Sequence, residues 1–157
     1  MTLPQATGTL LRTWRRLSRI PGGAWLFSRW VGWLVPYSGS IRARIRELEP
    51  GFARLTLRDR RGVRQHLGSV HAVALVNLGE LTSGLAMLTA LPPGVRAIVT
   101  EMSAEYTKKA RGLLTARSEV RVPEVGGPVE LPIFAEIQDD GGQLVCRVRV
   151  LWRLDRS

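Results

Sequence analysis

The chain is poor in the side chains that form disulfides and metal sites. Its 157 residues include one cysteine, Cys146, and two histidines, His66 and His71. One cysteine excludes an intrachain disulfide and is typical of a reducing compartment. The alternating pattern around Cys146 predicts a small, buried side chain in a strand. No combination of histidine, cysteine and carboxylate has the spacing of a metal site, so we expect neither a metal nor a cofactor.

Acidic residues are absent from the first 46 positions. This segment carries eight of the ten excess positive charges and four of the five tryptophans. The arginines are Arg12, Arg15, Arg16, Arg19, Arg29, Arg42, Arg44 and Arg46, and the tryptophans are Trp14, Trp25, Trp30 and Trp33. The remaining chain is nearly balanced. The net charge of +10 therefore belongs to the N-terminal segment rather than to the whole fold.

Residues 1–36 are predicted to be a helical extension that precedes a domain over residues 37–157. The helices should break at Pro21-Gly22-Gly23 and stop at Pro36. Two roles are open: packing on the outer face of a sheet, or lying on an anionic membrane surface. Nucleic acid is not expected as a partner, because the basic residues lack any recognised reading motif. The apolar stretch 24–35 is too short to span a bilayer and is interrupted by Arg29. Since no secretory cleavage site is evident either, we expect a cytoplasmic protein.

The rest of the chain alternates between strand and helix periodicity. Residues 41–46 and 53–58 predict a hairpin, and four further strands are expected at 96–106, 112–122, 129–138 and 143–154. Residues 70–91 predict a helix with Ser69 as its N-cap. This helix is apolar nearly all round and must be buried. Only a strongly curved antiparallel sheet wrapped around it would cover it, which predicts an α+β fold.

The densest functional signal lies at the start of this helix. A helix N-terminus presents unpaired N–H groups that favour a developing negative charge. The helix contains one acid, Glu80, nine residues after His71, and a lone carboxylate among apolar residues is costly unless it is used. Together these features predict half of an active site. The structural alternative is a carboxyl that core hydroxyls satisfy.

The order of elements and this junction resemble the hotdog fold. Within it the chain resembles the PaaI-like thioesterases, and closely the DUF4442 family of hotdog-domain proteins. The resemblance is carried by Gln65-His66-Leu67-Gly68-Ser69-Val70-His71-Ala72, Asn77-Leu78-Gly79-Glu80, Tyr106-Thr107-Lys108-Lys109-Ala110-Arg111-Gly112 and Pro36-Tyr37-Ser38-Gly39-Ser40-Ile41. It implies hydrolysis of acyl-CoA thioesters, with coenzyme A as part of the substrate.

The resemblance also implies roles for single residues. Glu80 is the carboxylate that acts on the thioester, as a general base or as a nucleophile. The backbone N–H of Ala72 binds the thioester oxygen, while His71 and Gln65, which stands where many relatives have asparagine, position the thioester or water. Asn77, one turn before Glu80, belongs to the substrate-binding set or orients Glu80.

A basic cluster follows the third predicted strand. Lys108, Lys109 and Arg111 would meet the phosphates of coenzyme A, with arginine better suited to bidentate contacts. A merely solvated turn is the alternative interpretation of this cluster.

Helix geometry predicts that the site is shared between two chains. Over the nine residues from His71 to Glu80, a helix rises about 13.5 Å and turns through about 180°. Glu80 and Ala72 of one helix therefore cannot contact the same carbonyl, whereas two antiparallel copies could. We expect a homodimer, or a dimer of dimers, with composite sites. The rival functions are a non-catalytic acyl-CoA binding or sensing domain, a dehydratase, and a membrane-surface module that uses the fold for dimerisation.

Overall fold

The computed structural model describes residues 3–156, with side chains from position 8 onward. The helices are α1 (Leu3–Leu17), α2 (Gly23–Leu34), α3 (Pro36–Gly39) and α4 (Ala72–Ala90). The strands are β1 (Arg44–Glu49), β2 (Phe52–Arg58), β3 (Val95–Tyr106), β4 (Leu113–Glu119), β5 (Val129–Gln138) and β6 (Leu144–Arg156).

One antiparallel sheet contains all six strands, in the order β1-β2-β4-β5-β6-β3. The strands β1 and β3 are therefore its two edges. The helix α4 contacts every strand, which requires the sheet to curve around it. The α+β architecture expected from the sequence, a curved sheet around one long central helix, is confirmed. Cys146 is fully buried in β6 as predicted, and burial raises the pKa of its thiol to about 11.

Burial explains why α4 lacks a polar face. Twelve of its 19 residues are buried, and Leu78, Ala86 and Met87 have no exposed surface. The helix is long and apolar enough to cross a membrane, but 61% of that apolar window is buried inside the protein. In this structure its apolar surface is covered by the sheet that wraps it and by α1.

The tightest contact between α4 and the sheet is at Gly79. A Cβ atom built at this position would lie 2.5 Å from Cβ of Val148 in β6. We expect Gly79→Ala to lower the free energy of unfolding by about 1–3 kcal/mol, because the backbones must move apart. Gly84→Ala is the matched control, since its Cβ would make an ordinary 3.6 Å contact with Trp152. The free energy of unfolding of Gly84→Ala should rise by about 0.5–1 kcal/mol, because alanine has a higher helix propensity than glycine.

Urea denaturation of both glycine variants tests this contact. Equal stability of the two variants would contradict the proposed close approach, since both substitutions carry the same intrinsic helix propensity.

The N-terminal helices are part of the fold, but they do not lie on the outer face of the sheet. The helix α1 contacts α4 and the edge strands β1 and β3, and α2 contacts β1. Leu10, Trp14, Phe27 and Val31 are buried in the same hydrophobic core as α4. The rings of Trp14 and Phe27 meet edge to face, with centroids 5.2 Å apart. The prediction that these helices pack on the outer face of the sheet was wrong. They cover apolar surface that α4 and the edge strands leave exposed.

The first strand begins later than the alternation of residues 41–46 predicts. Residues Pro36–Gly39 form a short helical turn, α3, instead of leading directly into a strand. Arg42 then adopts a left-handed backbone conformation, with φ of 53°, and β1 starts at Arg44. Ile45 lies in β1 and is buried, as the period-two pattern predicts. The residues before Arg44 turn away from the sheet.

Candidate active site

The helix α4 begins at Ala72, and the residue that caps it is His71. The His71 ring accepts a hydrogen bond at Nδ1 from the backbone N–H of Val73, at 3.1 Å. The prediction of Ser69 as the N-cap was wrong. The backbone N–H of His71 donates to the carbonyl of Val63 at 2.8 Å, which holds the chain extended until position 71. Because Nδ1 accepts, a neutral His71 carries its proton on Nε2, where it can donate to a ligand.

Ala72 is exposed at the first helical position. Its backbone N–H donates to no acceptor in the part of the chain that the structure describes. This is the unpaired donor that the sequence predicts at the helix start. Tyr106, at the end of β3, donates its hydroxyl to the carbonyl of Ala72 at 3.3 Å. Sequence reasoning missed this role for Tyr106, since its position in the motif gave no sign that it reaches α4.

Gln65 uses its side-chain amide within its own loop. Its Nε2 donates to Oγ of Ser69 at 2.9 Å, and its Oε1 accepts from the backbone N–H of Leu67 at 3.1 Å. This arrangement shapes the loop that leads into α4. It also holds the Ser69 hydroxyl in the loop, two residues before the capping position at His71.

Glu80 is a partly buried carboxyl on α4. Burial raises its pKa above the ordinary value, and a hydrogen bond from Ser38 opposes this with a smaller effect. The Ser38 hydroxyl lies 3.4 Å from Oε2 of Glu80. Among the described residues Glu80 has no ion-pair partner. A carboxylate that is poorly solvated and not neutralised by a cation is a stronger base than one in water.

Two hydrogen bonds join the short helix α3 to α4, and their partners on α4 are three residues apart. Ser38 donates to Glu80, and Nδ2 of Asn77 donates to the carbonyl of Tyr37 at 3.4 Å. Asn77 is only 8% exposed, so the structure places it against α3 rather than in an open groove. Its Oδ1 is buried without a partner among the described residues.

Ser38 is a second residue that sequence reasoning missed. The available signal was the pair Gly32 and Gly39, which lets α3 pack closely on α2. A Cβ at Gly39 would lie 2.2 Å from the carbonyl oxygen of Gly32. The close approach keeps α3 in place beside Glu80.

A cavity of about 910 Å³ opens beside this turn, between α2, α3, β1 and β2. Its lining includes Ser38 and Leu81, the neighbour of Glu80 on α4. Six arginines also line it and no acidic residue does: Arg29, Arg42, Arg44, Arg46, Arg58 and Arg60. The cavity is therefore strongly electropositive, and Ser38, which donates to Glu80, lies in its wall.

The basic cluster after β3 is only partly available to a ligand. Nζ of Lys108 lies 2.6 Å from Oδ2 of Asp139 and 2.6 Å from Oε1 of Gln143. This contact lowers the pKa of Asp139 and compensates the lysine charge. Lys109 and Arg111 are exposed and form no ion pair among the described residues.

Within one protomer the predicted residues form two groups. Gln65, His71, Ala72 and the cluster at Lys109 lie around the start of α4, where the N–H of Val70 donates to the carbonyl of Ala110 at 2.9 Å. Asn77 and Glu80 lie with α3, about one and a half and two turns along the helix. In residues 3–156, no group of three histidine, cysteine or acidic side chains is arranged to hold a metal ion.

The fold and these two groups define a hotdog-fold protein. A family model, described as a domain of unknown function (DUF4442), matches residues 23–154, and the chain belongs to that family. No curated protein matches the chain.

Solved structures with the same fold include several that are named thioesterases. A structural-genomics protein without a stated function is 28% identical, with a TM-score of 0.82 and coverage of 95% of this chain and 99% of the other. A Pseudomonas aeruginosa protein of unknown function, described as a probable thioesterase, is 26% identical with a TM-score of 0.72, covering 88% and 97%.

A Haemophilus influenzae thioesterase is 17% identical with a TM-score of 0.67, covering 76% of this chain and 82% of the other. At that identity it shows the shared fold alone. These neighbours are consistent with the PaaI-like branch that the sequence resembles.

Proposed function

We propose that this protein hydrolyses acyl-CoA thioesters at sites shared between two protomers. The observation that carries the proposal is Glu80, a partly buried carboxyl with a raised pKa and no cationic partner among the described residues. The Pseudomonas aeruginosa neighbour described as a probable thioesterase supports the same reaction class. The proposal includes a cytoplasmic location and requires no cofactor, because coenzyme A is part of the substrate.

The edge strand β3 supports a two-fold dimer. It is 12 residues long, pairs with β6 alone among the described strands, and exposes Ile98, Met102 and Tyr106. A long, open, partly apolar edge is a template for pairing with another strand. Antiparallel pairing of two β3 edges would bury these side chains and make one continuous sheet. It would also set the two α4 helices antiparallel, so that Glu80 faces the partner's Ala72.

The proposed chemistry divides between the two ends of α4. The N–H of the partner's Ala72 binds the thioester oxygen and stabilises the oxyanion that forms. Glu80 takes a proton from water as the water attacks the carbonyl carbon. The carbon–sulfur bond then breaks, and the thiolate receives the proton.

Direct attack by Glu80 is the other route. It forms an anhydride and releases the thiolate, and water then hydrolyses the anhydride. In either route the partner's His71, with its proton on Nε2, donates to the thioester or to water.

Lys109 and Arg111 are proposed to bind the phosphates of coenzyme A, with a smaller share from Lys108, whose charge Asp139 compensates. Replacing all three by alanine should raise KM for an acyl-CoA by about tenfold or more, since charge-assisted bonds to phosphate are strong. KM for the matching N-acetylcysteamine thioester, which has no phosphate, should not change. Steady-state kinetics on both substrates measure this difference.

A matched triple, Arg15→Ala/Arg16→Ala/Arg121→Ala, removes the same charge from other exposed positions. Equal effects of the two triples on KM would show that net charge, rather than this cluster, attracts the substrate.

A non-catalytic acyl-CoA sensor is the rival function. It would show saturable binding of acyl-CoA without release of free coenzyme A. A thermal-shift screen against acyl-CoAs of different lengths detects binding in either case, because a ligand that binds only the native state raises Tm. Steady release of the coenzyme A thiol would then show that the protein is a hydrolase rather than a sensor.

A further inference from the structure

The helix α2 has two faces of different character. Phe27 and Val31 are buried against the core. The opposite row, at a spacing of four residues, is Trp25, Arg29 and Trp33, and the two tryptophans are 50% and 76% exposed. Half of the large hydrophobic side chains that the structure shows as exposed lie in residues 20–37: Ile20, Trp25, Leu26, Trp33, Leu34, Val35 and Tyr37. This concentration leaves an uncovered aromatic surface next to the electropositive cavity.

The same surface is rich in arginines that the fold does not use. Trp25 and Trp33 line the cavity together with its six arginines. None of these arginines forms an ion pair with a carboxylate in residues 8–156. Four of them also donate no side-chain hydrogen bond to any described acceptor: Arg29, Arg42, Arg44 and Arg58. Like charges gathered this way repel each other, and a bound anion would relieve that repulsion.

We infer that this Trp/Arg face, formed by Trp25, Arg29, Trp33, Arg42 and Arg44, docks on the surface of an anionic phospholipid bilayer. Tryptophan favours the membrane–water interface, where its ring is buried and its N–H stays hydrated. Guanidinium groups bind lipid phosphates and gain from the negative surface potential. The contact is peripheral, since the only helix of spanning length in the described residues, α4, is enclosed by the sheet.

The charge of the Trp/Arg face argues against a second copy of the chain as its binding partner. The net charge is +10, and no acidic residue precedes position 47. Two copies joined through the Trp/Arg face would oppose arginine to arginine without carboxylates to neutralise them. An anionic bilayer supplies both the negative charge and an apolar layer for the tryptophans.

Vesicle co-sedimentation of the full chain tests the inference. The wild type should bind vesicles of phosphatidylglycerol and phosphatidylcholine at least about tenfold more tightly than vesicles of phosphatidylcholine alone, and binding should weaken with salt. Trp25→Ala/Trp33→Ala and Arg29→Ala/Arg42→Ala/Arg44→Ala should each weaken binding by about tenfold or more. The arginine triple should also reduce the salt dependence.

The matched control is Phe134→Ala. Phe134 is 48% exposed, close to the exposure of Trp25, but lies on the outer face of β5. This variant should bind vesicles as the wild type does. Circular dichroism melting curves verify that each variant is folded.

Tryptophan fluorescence gives a second readout. Adding anionic vesicles should shift the wild-type emission to shorter wavelength and shield it from iodide, and Trp25→Ala/Trp33→Ala should abolish that response. Vesicle binding must also persist in Glu80→Gln, so failure of the hydrolysis proposal and failure of this one are distinguishable.

Three results would overturn the inference. One is a wild type that ignores anionic vesicles, or tryptophan variants that bind them normally. Another is a fall in the lipid-free sedimentation mass of Trp25→Ala/Trp33→Ala, which would make the face a contact between copies. The third is tight binding of pyrophosphate, abolished by the arginine triple, without any vesicle binding, which would make the cavity a site for a soluble phosphate ligand.

Discussion

Glu80→Gln is expected to lower kcat for acyl-CoA hydrolysis by roughly 10²–10⁴-fold while the protein stays folded. The amide keeps the size of the side chain and can still accept the hydrogen bond from Ser38, but it can neither take a proton nor attack a carbonyl. Release of free coenzyme A, followed with a thiol reagent, measures the rate. The control is Glu119→Gln, since Glu119 is an exposed acid at the end of β4. A Glu80→Gln variant as fast as wild type would end the proposed assignment.

The raised pKa of Glu80 makes a linked prediction for pH. The base must be unprotonated, so kcat should fall as pH is lowered through the raised pKa. Between the ordinary and the raised pKa, the folded chain holds a proton at Glu80 that the unfolded chain has lost. The contribution of Glu80 to the free energy of unfolding therefore declines as pH rises through that window. Urea titrations of Glu80→Gln should lack this decline.

The proposed sharing of each site between two chains predicts complementation between two inactive variants. Ala72→Pro should keep the fold, because proline is tolerated at the first helical position and the extended backbone of His71 suits a following proline. It removes the N–H proposed to bind the oxyanion, so kcat should fall by about 10²–10³-fold. Ala72→Gly keeps the N–H and is the control that should remain active.

A purified heterodimer of an Ala72→Pro chain with a Glu80→Gln chain should regain about half of the wild-type activity. One of its two sites takes Glu80 from the first chain and Ala72 from the second, and both are intact. The matched control pairs a wild-type chain with a chain that carries both substitutions, and it should be inactive because every site then contains one defect. Two differently tagged chains allow each heterodimer to be isolated.

The reverse pattern, an active control and an inactive first heterodimer, would show that each site lies within one chain. An active Ala72→Pro homodimer would instead show that the Ala72 N–H does not stabilise the oxyanion.

The parts of the fold predicted well are those that local patterns determine. The apolar α4 requires a sheet on most sides, and alternation located all six strands within a few residues. The cap of α4 was mistaken because serine is the commoner N-cap. The backbone bonds of His71 to Val63 and of Val70 to Ala110 keep the chain extended past Ser69. Those partners lie elsewhere in the chain, so the local sequence could not reveal them.

The candidate site was predictable as residue types but not as contacts. A lone acid inside an apolar helix identified Glu80, whereas its hydrogen bond from Ser38 joins positions 42 residues apart. The arginines and tryptophans of residues 1–46 were recognised as a basic, acid-free segment. Only the folded chain shows that α2 brings Trp25 and Trp33 to the same cavity.

Through the four-residue turn α3, the N-terminal helices affect the chemistry of Glu80. Because α3 packs on α2 through Gly39 and donates and accepts hydrogen bonds with α4, the solvation of the Glu80 carboxyl depends on α2, a helix that begins at Gly23. A disturbance that lifts α2 off the core would admit water to Glu80 and return its acidity to that of an ordinary glutamate. The basicity of Glu80 is therefore a property of tertiary packing rather than of the helix that carries the side chain.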